Sequence, residues 1–134
     1  MKMINVLLIG LLLVGQSFIF SAQSADKETS VSNAKNVEVY YFHMTRRCPT
    51  CQAVGSVTKE ALQEYYGGKV PFSEYNLEED SGEKKGRDME VSGQSLLIVK
   101  GATKINLTSE GFMYARTNPD KLKSLIKEKV DSLL

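Results

Sequence analysis

The chain has no tryptophan, one histidine and only two cysteines in 134 residues. Two cysteines and a single histidine cannot close a four-ligand structural zinc site of the Cys/His type. No cysteine lies near the amino terminus, so no thiol there can carry a lipid anchor. The sequence holds 17 Lys+Arg against 16 Asp+Glu. That balance gives no support for nucleic-acid binding or for a basic membrane footprint. No apolar run reaches the roughly 18–20 residues a spanning helix needs. There is no internal repeat and no low-complexity tract.

What is present begins with a pattern for export. Met1-Lys2-Met3 is a short basic start, Ile4 to Val14 is apolar, and Ser21-Ala22-Gln23-Ser24-Ala25 offers small residues for a signal peptidase. The expectation is a signal peptide over 1–24, cleaved after Ser24 or Ala25, with an uncleaved membrane anchor as the competing reading. Removing Lys2 leaves 16 residues of each charge, hence a formal net charge of zero. A polar leader over 25–36 then precedes one domain, 37–134, long enough for a single core without staples. The protein is expected to be periplasmic or secreted, monomeric, and free of stable membrane association once the signal is removed. Export would place both cysteines where disulfides persist.

The hydrophobic pattern predicts a buried strand over Val37 to Phe42, a turn over His43 to Arg47, and a helix from Pro49 to about Tyr66. Pro49 suits the first helical position and Gly67-Gly68 ends the helix. A second strand is predicted over Val70 to Leu77. The charge-dense stretch Glu78 to Asp88 reads as a solvated loop or short surface helix. Ser95 to Lys100 is a third strand, Lys104 to Leu107 a short hairpin strand, and Phe112 to Ala115 a further edge strand. Asn118-Pro119-Asp120 is a strong helix start, and Leu122, Leu125, Ile126, Val130 and Leu133 form its apolar stripe. Strands alternating with helices, then a hairpin, imply an α/β fold with a mixed sheet and helices on both faces.

Both cysteines fall in one place, Cys48-Pro49-Thr50-Cys51, where a buried strand turns into a helix. Two thiols held two residues apart can form a tight disulfide and break it again. Cys48 opens the helix, where backbone N–H groups and the helix dipole favour negative charge, and Arg47 and Arg46 stand directly before it. Both effects lower the Cys48 pKa below the free value of about 8.5. Cys48 is therefore the attacking or attacked sulfur and Cys51 the resolving one. A permanently closed structural bridge is the competing reading, although so small a loop removes little chain entropy. His43, five residues before Cys48, either tunes the thiolate or is a strand-end residue with no role. Thr50 either bonds a nearby sulfur or is a tolerated helix residue. A soft-metal reading uses His43, Cys48 and Cys51, with Met44 as a weak further ligand, for copper(I) or zinc.

The motif, its place after a hydrophobic strand and the element order resemble the thioredoxin-like family over roughly Val37 to Leu134. That resemblance implies a three-layer sandwich and a thiol–disulfide oxidoreductase needing no cofactor. Its partners would be client or redox-partner proteins carrying thiols or disulfides, with no nucleic acid. The sequence departs from the family at several points. Arg47 stands where thioredoxins have tryptophan, and Pro49-Thr50 replaces Gly-Pro, a proline placement similar to periplasmic disulfide oxidases. Counting back from the motif, Phe42 takes the position of the buried acid, with Glu74 on the next strand as the stand-in. Ser95, in Gly93-Gln94-Ser95-Leu96, takes the position of the cis-proline beside the disulfide. These departures imply slow or client-restricted exchange; a degenerate interaction module on the same fold is a third reading.

Overall fold

The computed structural model describes residues 36–134. The signal segment 1–24 and the leader up to residue 35 lie outside the described residues. Eight elements follow: β1 (Glu38–His43), α1 (Pro49–Tyr66), β2 (Phe72–Asn76), α2 (Asp80–Asp88), β3 (Ser95–Lys100), β4 (Thr103–Asn106), α3 (Thr108–Tyr114) and α4 (Pro119–Asp131). The strands form one mixed sheet in the order β2-β1-β3-β4. β1 runs parallel to β2 and antiparallel to β3, and β4 folds back on β3 as a hairpin.

The alternation of β1 explains the two-sided core. Successive side chains of a strand point to opposite faces. Val39 and Tyr41 face the larger apolar cluster, built with Val54, Ala61 and Leu62 of α1, Leu96 and Ile98 of β3, and Leu122, Ile126 and Val130 of α4. Tyr40 and Phe42 face the other way, onto Leu97 and Val99, with Leu77, Met89 and Val91 closing that side. Helices α1, α3 and α4 thus cover one face and α2 the other, the expected three layers. Phe42 is fully buried, worth about 1.5–3 kcal/mol for a side chain of that kind. No helix among the described residues is long and apolar enough to cross a membrane.

Local chemistry sets the boundaries. Gly67 closes α1 with φ +57°, its amide bonding the Gln63 carbonyl at 3.0 Å, a left-handed cap that glycine adopts without strain. At α4, Asn118 caps as expected: its side-chain oxygen accepts the Lys121 N–H at 3.2 Å. The charge-dense stretch resolves into a turn and α2, whose Gly82 lies against the end of β2. A Cβ there would come 1.8 Å from the Asn76 carbonyl oxygen, so only glycine permits this approach.

One expectation is corrected. Phe112 to Ala115 is not an edge strand; it belongs to α3 and its cap. The helix forms because Gly111 brings its backbone onto Val54 and Leu96, where an added Cβ would stand 3.3 and 3.5 Å from their side chains. Its start is fixed by Asn106, whose Oδ1 accepts the Thr108 N–H at 2.9 Å, and by Thr108 Oγ1, which accepts the Leu96 N–H at 3.0 Å. Tertiary packing here overrides the strand preference of an aromatic-rich segment. The hairpin strand is also shifted by one residue, ending at Asn106.

Candidate redox site

The approach to the motif is tied down from β2 and the turn after it. Leu77 N–H donates to the His43 carbonyl at 2.8 Å, and Asn76 Nδ2 donates to Thr45 Oγ1 at 2.8 Å. The Thr45 N–H donates to Glu78 Oε2 at 2.7 Å, and hydrogen bonding from Thr45 holds the Glu78 carboxyl below its ordinary range. The loop that delivers Cys48 is therefore held in place before the helix begins.

Cys48 and Cys51 are joined as a disulfide, with Cα atoms 5.0 Å apart. Cys48 is the N-cap residue of α1, with extended backbone (φ −74°, ψ 161°), and Pro49 takes the first helical turn. The Cys48 sulfur does what a cap oxygen does elsewhere: Sγ accepts the Cys51 N–H at 3.1 Å. The two sulfurs are unequal. Cys48 is exposed, whereas Cys51 retains 2% of its surface. Thr50 is half-buried at the second helical position.

Beneath Cys51 lies an arrangement the sequence reading missed. The Tyr41 hydroxyl donates to the Cys51 carbonyl at 3.0 Å, and Gln94 Oε1 stands 3.5 Å from the same hydroxyl. Burial pushes the Tyr41 phenol up; the neighbouring Arg47 opposes this and Glu74 reinforces it. The guanidinium of Arg47 lies against Tyr41 and Glu74, its Cζ 5.7 Å from the Tyr41 ring centroid and its Nη2 3.0 Å from Glu74 Oε1. Arg47 Nε is buried with no acceptor among the described residues. Gly55 of α1 makes room for this pair, since a Cβ there would stand 2.4 Å from Glu74 Oε1.

Set against the sequence expectations, Cys48, Cys51, Pro49, Arg47 and Glu74 converge around the helix start. Glu74 is engaged by Arg47 rather than standing free. Two positions are corrected. Phe42, counted as the place of the family's buried acid, points into the opposite cluster, and Tyr41 is the residue under Cys51. Ser95 pairs with Phe42 across the sheet and shares that face with Leu97 and Val99, while its hydroxyl donates to the Gly93 carbonyl at 2.9 Å. Gln94, one residue earlier, is the member of that segment that reaches the site. All described peptide bonds are trans. His43 Nδ1 lies 3.0 Å from the Met44 carbonyl oxygen. Among the described residues no three His, Cys, Asp or Glu side chains gather into a metal-holding group, so His43 is not assembled with the two cysteines. Strand parity holds the signal that was missed: Val37, Val39 and Tyr41 alternate with the partly exposed Glu38, which marks the other face.

No family model matches the sequence, and no curated protein matches it. Solved structures do. Thioredoxin O2 of Arabidopsis thaliana in its oxidized state is similar over 70% of this chain and 75% of its own, at 21% identity and a TM-score of 0.52. Chlamydomonas reinhardtii thioredoxin f2 is similar over 71% and 80%, at 21% identity and a TM-score of 0.49. Mitochondrial thioredoxin 3 of Saccharomyces cerevisiae, in its oxidized form, is similar over 71% and 82%, at 22% identity and a TM-score of 0.46. The class that the sheet order, the layers and the likeness to thioredoxin O2 define is the thioredoxin-like α/β fold. Within that class, the structure places its disulfide at the start of α1.

Proposed function

We propose that the chain is a thiol–disulfide oxidoreductase working through Cys48 and Cys51, exported and acting on client or redox-partner proteins. The observation that carries this is the inequality of the two sulfurs: an exposed Cys48 at the helix cap and a buried Cys51 one turn on. A partner thiolate attacks Cys48 Sγ along the S–S axis and Cys51 departs as the thiolate, giving a mixed disulfide. The second partner thiolate then attacks its own sulfur in that bond and releases Cys48 as a thiolate. Two electrons pass to the chain and the partner leaves as its disulfide; the reverse sequence reduces a partner. The cap contact from Cys51 N–H and the dipole of α1 favour the released Cys48 thiolate. Stabilising that thiolate favours the reduced chain and makes the pair the better oxidant.

Tyr41 and Gln94 in place of an acid and a proline support slow or client-restricted exchange. A neutral phenol is a poor base, so proton transfer at Cys51 gains little from it. The test is the reduction potential of the Cys48/Cys51 pair, measured against glutathione after removal of metal. A value above the roughly −270 mV of thioredoxin is expected. A disulfide that resists millimolar dithiothreitol would replace this reading with a structural bridge.

A further inference from the structure

Tyr41 touches both flanks of the disulfide with one side chain, and it is fully buried. Its hydroxyl donates to the Cys51 carbonyl at 3.0 Å. In an α-helix that carbonyl also accepts the N–H four residues on, and a carbonyl oxygen has lone pairs for both. The hydroxyl therefore grips the first turn of α1 without breaking its ladder. Gln94 Oε1, at 3.5 Å, is the longer contact of the same hydroxyl, so the Cys51 carbonyl is its main partner. The ring of Tyr41 carries the Arg47 guanidinium, with Cζ 5.7 Å from the centroid, within the range of a cation–π contact. Arg47 is the residue directly before Cys48, and Glu74 of β2 holds its Nη2 at 3.0 Å. One flank is thus anchored by the hydroxyl at Cys51 and the other by the ring at Arg47.

Resting on the oxidoreductase reading, we infer that Tyr41 is the positioning residue of the resolving step, holding the chain at Cys51 and at Arg47 so that the two sulfurs stay together when the bond between them is open. In that step Cys51 loses its proton to water and attacks Cys48 Sγ of a mixed disulfide. The Cys48–Cys51 bond forms, the bond from Cys48 to the partner sulfur breaks, and the electron pair leaves on the partner sulfur as a thiolate. The phenol exchanges no proton in this step. Its part is geometric: a held pair reacts as an intramolecular one at high effective concentration, and looseness in the first turn lowers that concentration.

The test equilibrates the protein in glutathione buffers, quenches with acid and separates the species by mass. At a fixed concentration of reduced glutathione, the ratio of closed disulfide to glutathione mixed disulfide reads the effective concentration of Cys51 at Cys48. Tyr41→Phe keeps the ring and removes only the hydroxyl. It is expected to lower that ratio about two- to tenfold, the range one net hydrogen bond supplies. The pH profile of Cys48 alkylation in the reduced variant should match that of the wild type, because the hydroxyl holds a carbonyl and not the thiolate. A shifted profile, or an unchanged ratio, would overturn the assignment. Should Tyr41→Phe fail to fold, Arg47→Lys tests the other anchor: it keeps the charge before Cys48 and loses the planar group on the ring. The ratio should again fall, by a smaller factor, and an unchanged ratio there counts against Tyr41. If the wild-type disulfide opens in glutathione or dithiothreitol while the variants keep the wild-type ratio, the positioning role is wrong and the redox reading stands. If the wild-type disulfide opens in neither, both fall.

Discussion

Helices α1 and α4 begin in the same way and end up doing different things. Each has a proline in its first turn and a side chain that accepts the N–H three residues on: Cys48 Sγ from Cys51 in α1, Asn118 Oδ1 from Lys121 in α4. The Asn118 cap is purely structural, ordering a helix whose Leu122, Ile126 and Val130 are fully buried. At Cys48 the capping atom is itself one of the two sulfurs of the disulfide. The approaches differ too. Asn118 is reached through a backbone bond from its own N–H to the Tyr114 carbonyl at 2.8 Å. Cys48 is reached through a loop held by the carboxylate of Glu78. The same device at a helix start serves stability in one place and, on the proposed function, sulfur chemistry in the other, and the difference lies in the atom that accepts the N–H and in what holds the loop before it.

The largest effect should come from separating cap from chemistry at α1. Cys48→Ser keeps a good cap, since serine is among the best N-cap residues. Exchange should fall to background in a dithiol-consumption assay, while the denaturation midpoint stays near that of the reduced wild type. A midpoint far below it would mean that the sulfur contributes more to the fold than a cap does. The mirror experiment at α4, Asn118→Ala, should lower unfolding free energy by about 1 kcal/mol and leave the exchange rate unchanged. An equal loss of exchange would tie the two helix starts together. The smallest effect is one of pH. The Glu78 carboxyl is held below its ordinary value in the folded chain, so its contribution is fully present above the unfolded carboxylate value. It fades as pH falls through the lower folded one. Protection of the Thr45 amide against hydrogen exchange, relative to its intrinsic rate at each pH, should fall over that acid window, and Glu78→Gln should remove this dependence, whereas protection of the Asn118 amide should not change with it.

The order of the main elements was legible because their signals are local: a β-branched and aromatic run, glycines after Tyr66, a cap-proline pair at Asn118. Helix α3 was not, because Phe112, Met113 and Tyr114 favour a strand locally. Only contact with Val54 and Leu96, distant in sequence, selects the helix. The cysteines and their neighbours were legible for the same local reason. Tyr41 and Gln94 were missed because each depends on which face a strand residue takes, and a count of one residue reverses that face. Counting along the chain through the turn pointed to Phe42 and Ser95, which register across the sheet sets opposite each other on the wrong side. Gly55 was unreadable alone, since its reason for being small is an ion pair between Arg47 and Glu74.

The approach of Gly82 to Asn76 has a consequence for how substitutions would be tolerated. At Gly55 an intruding methyl meets the mobile tip of Glu74, and neighbours can rearrange around it. At Gly82 it meets a backbone carbonyl at 1.8 Å, in a strand that cannot yield. A selection for folded variants would therefore keep a range of residues at one glycine and a single residue at the other, although α2 is the more polar and surface-lying helix. Because Asn76 also holds Thr45, the strand end that Gly82 packs against is the same one that ties down the loop before Cys48, although α2 itself touches neither cysteine.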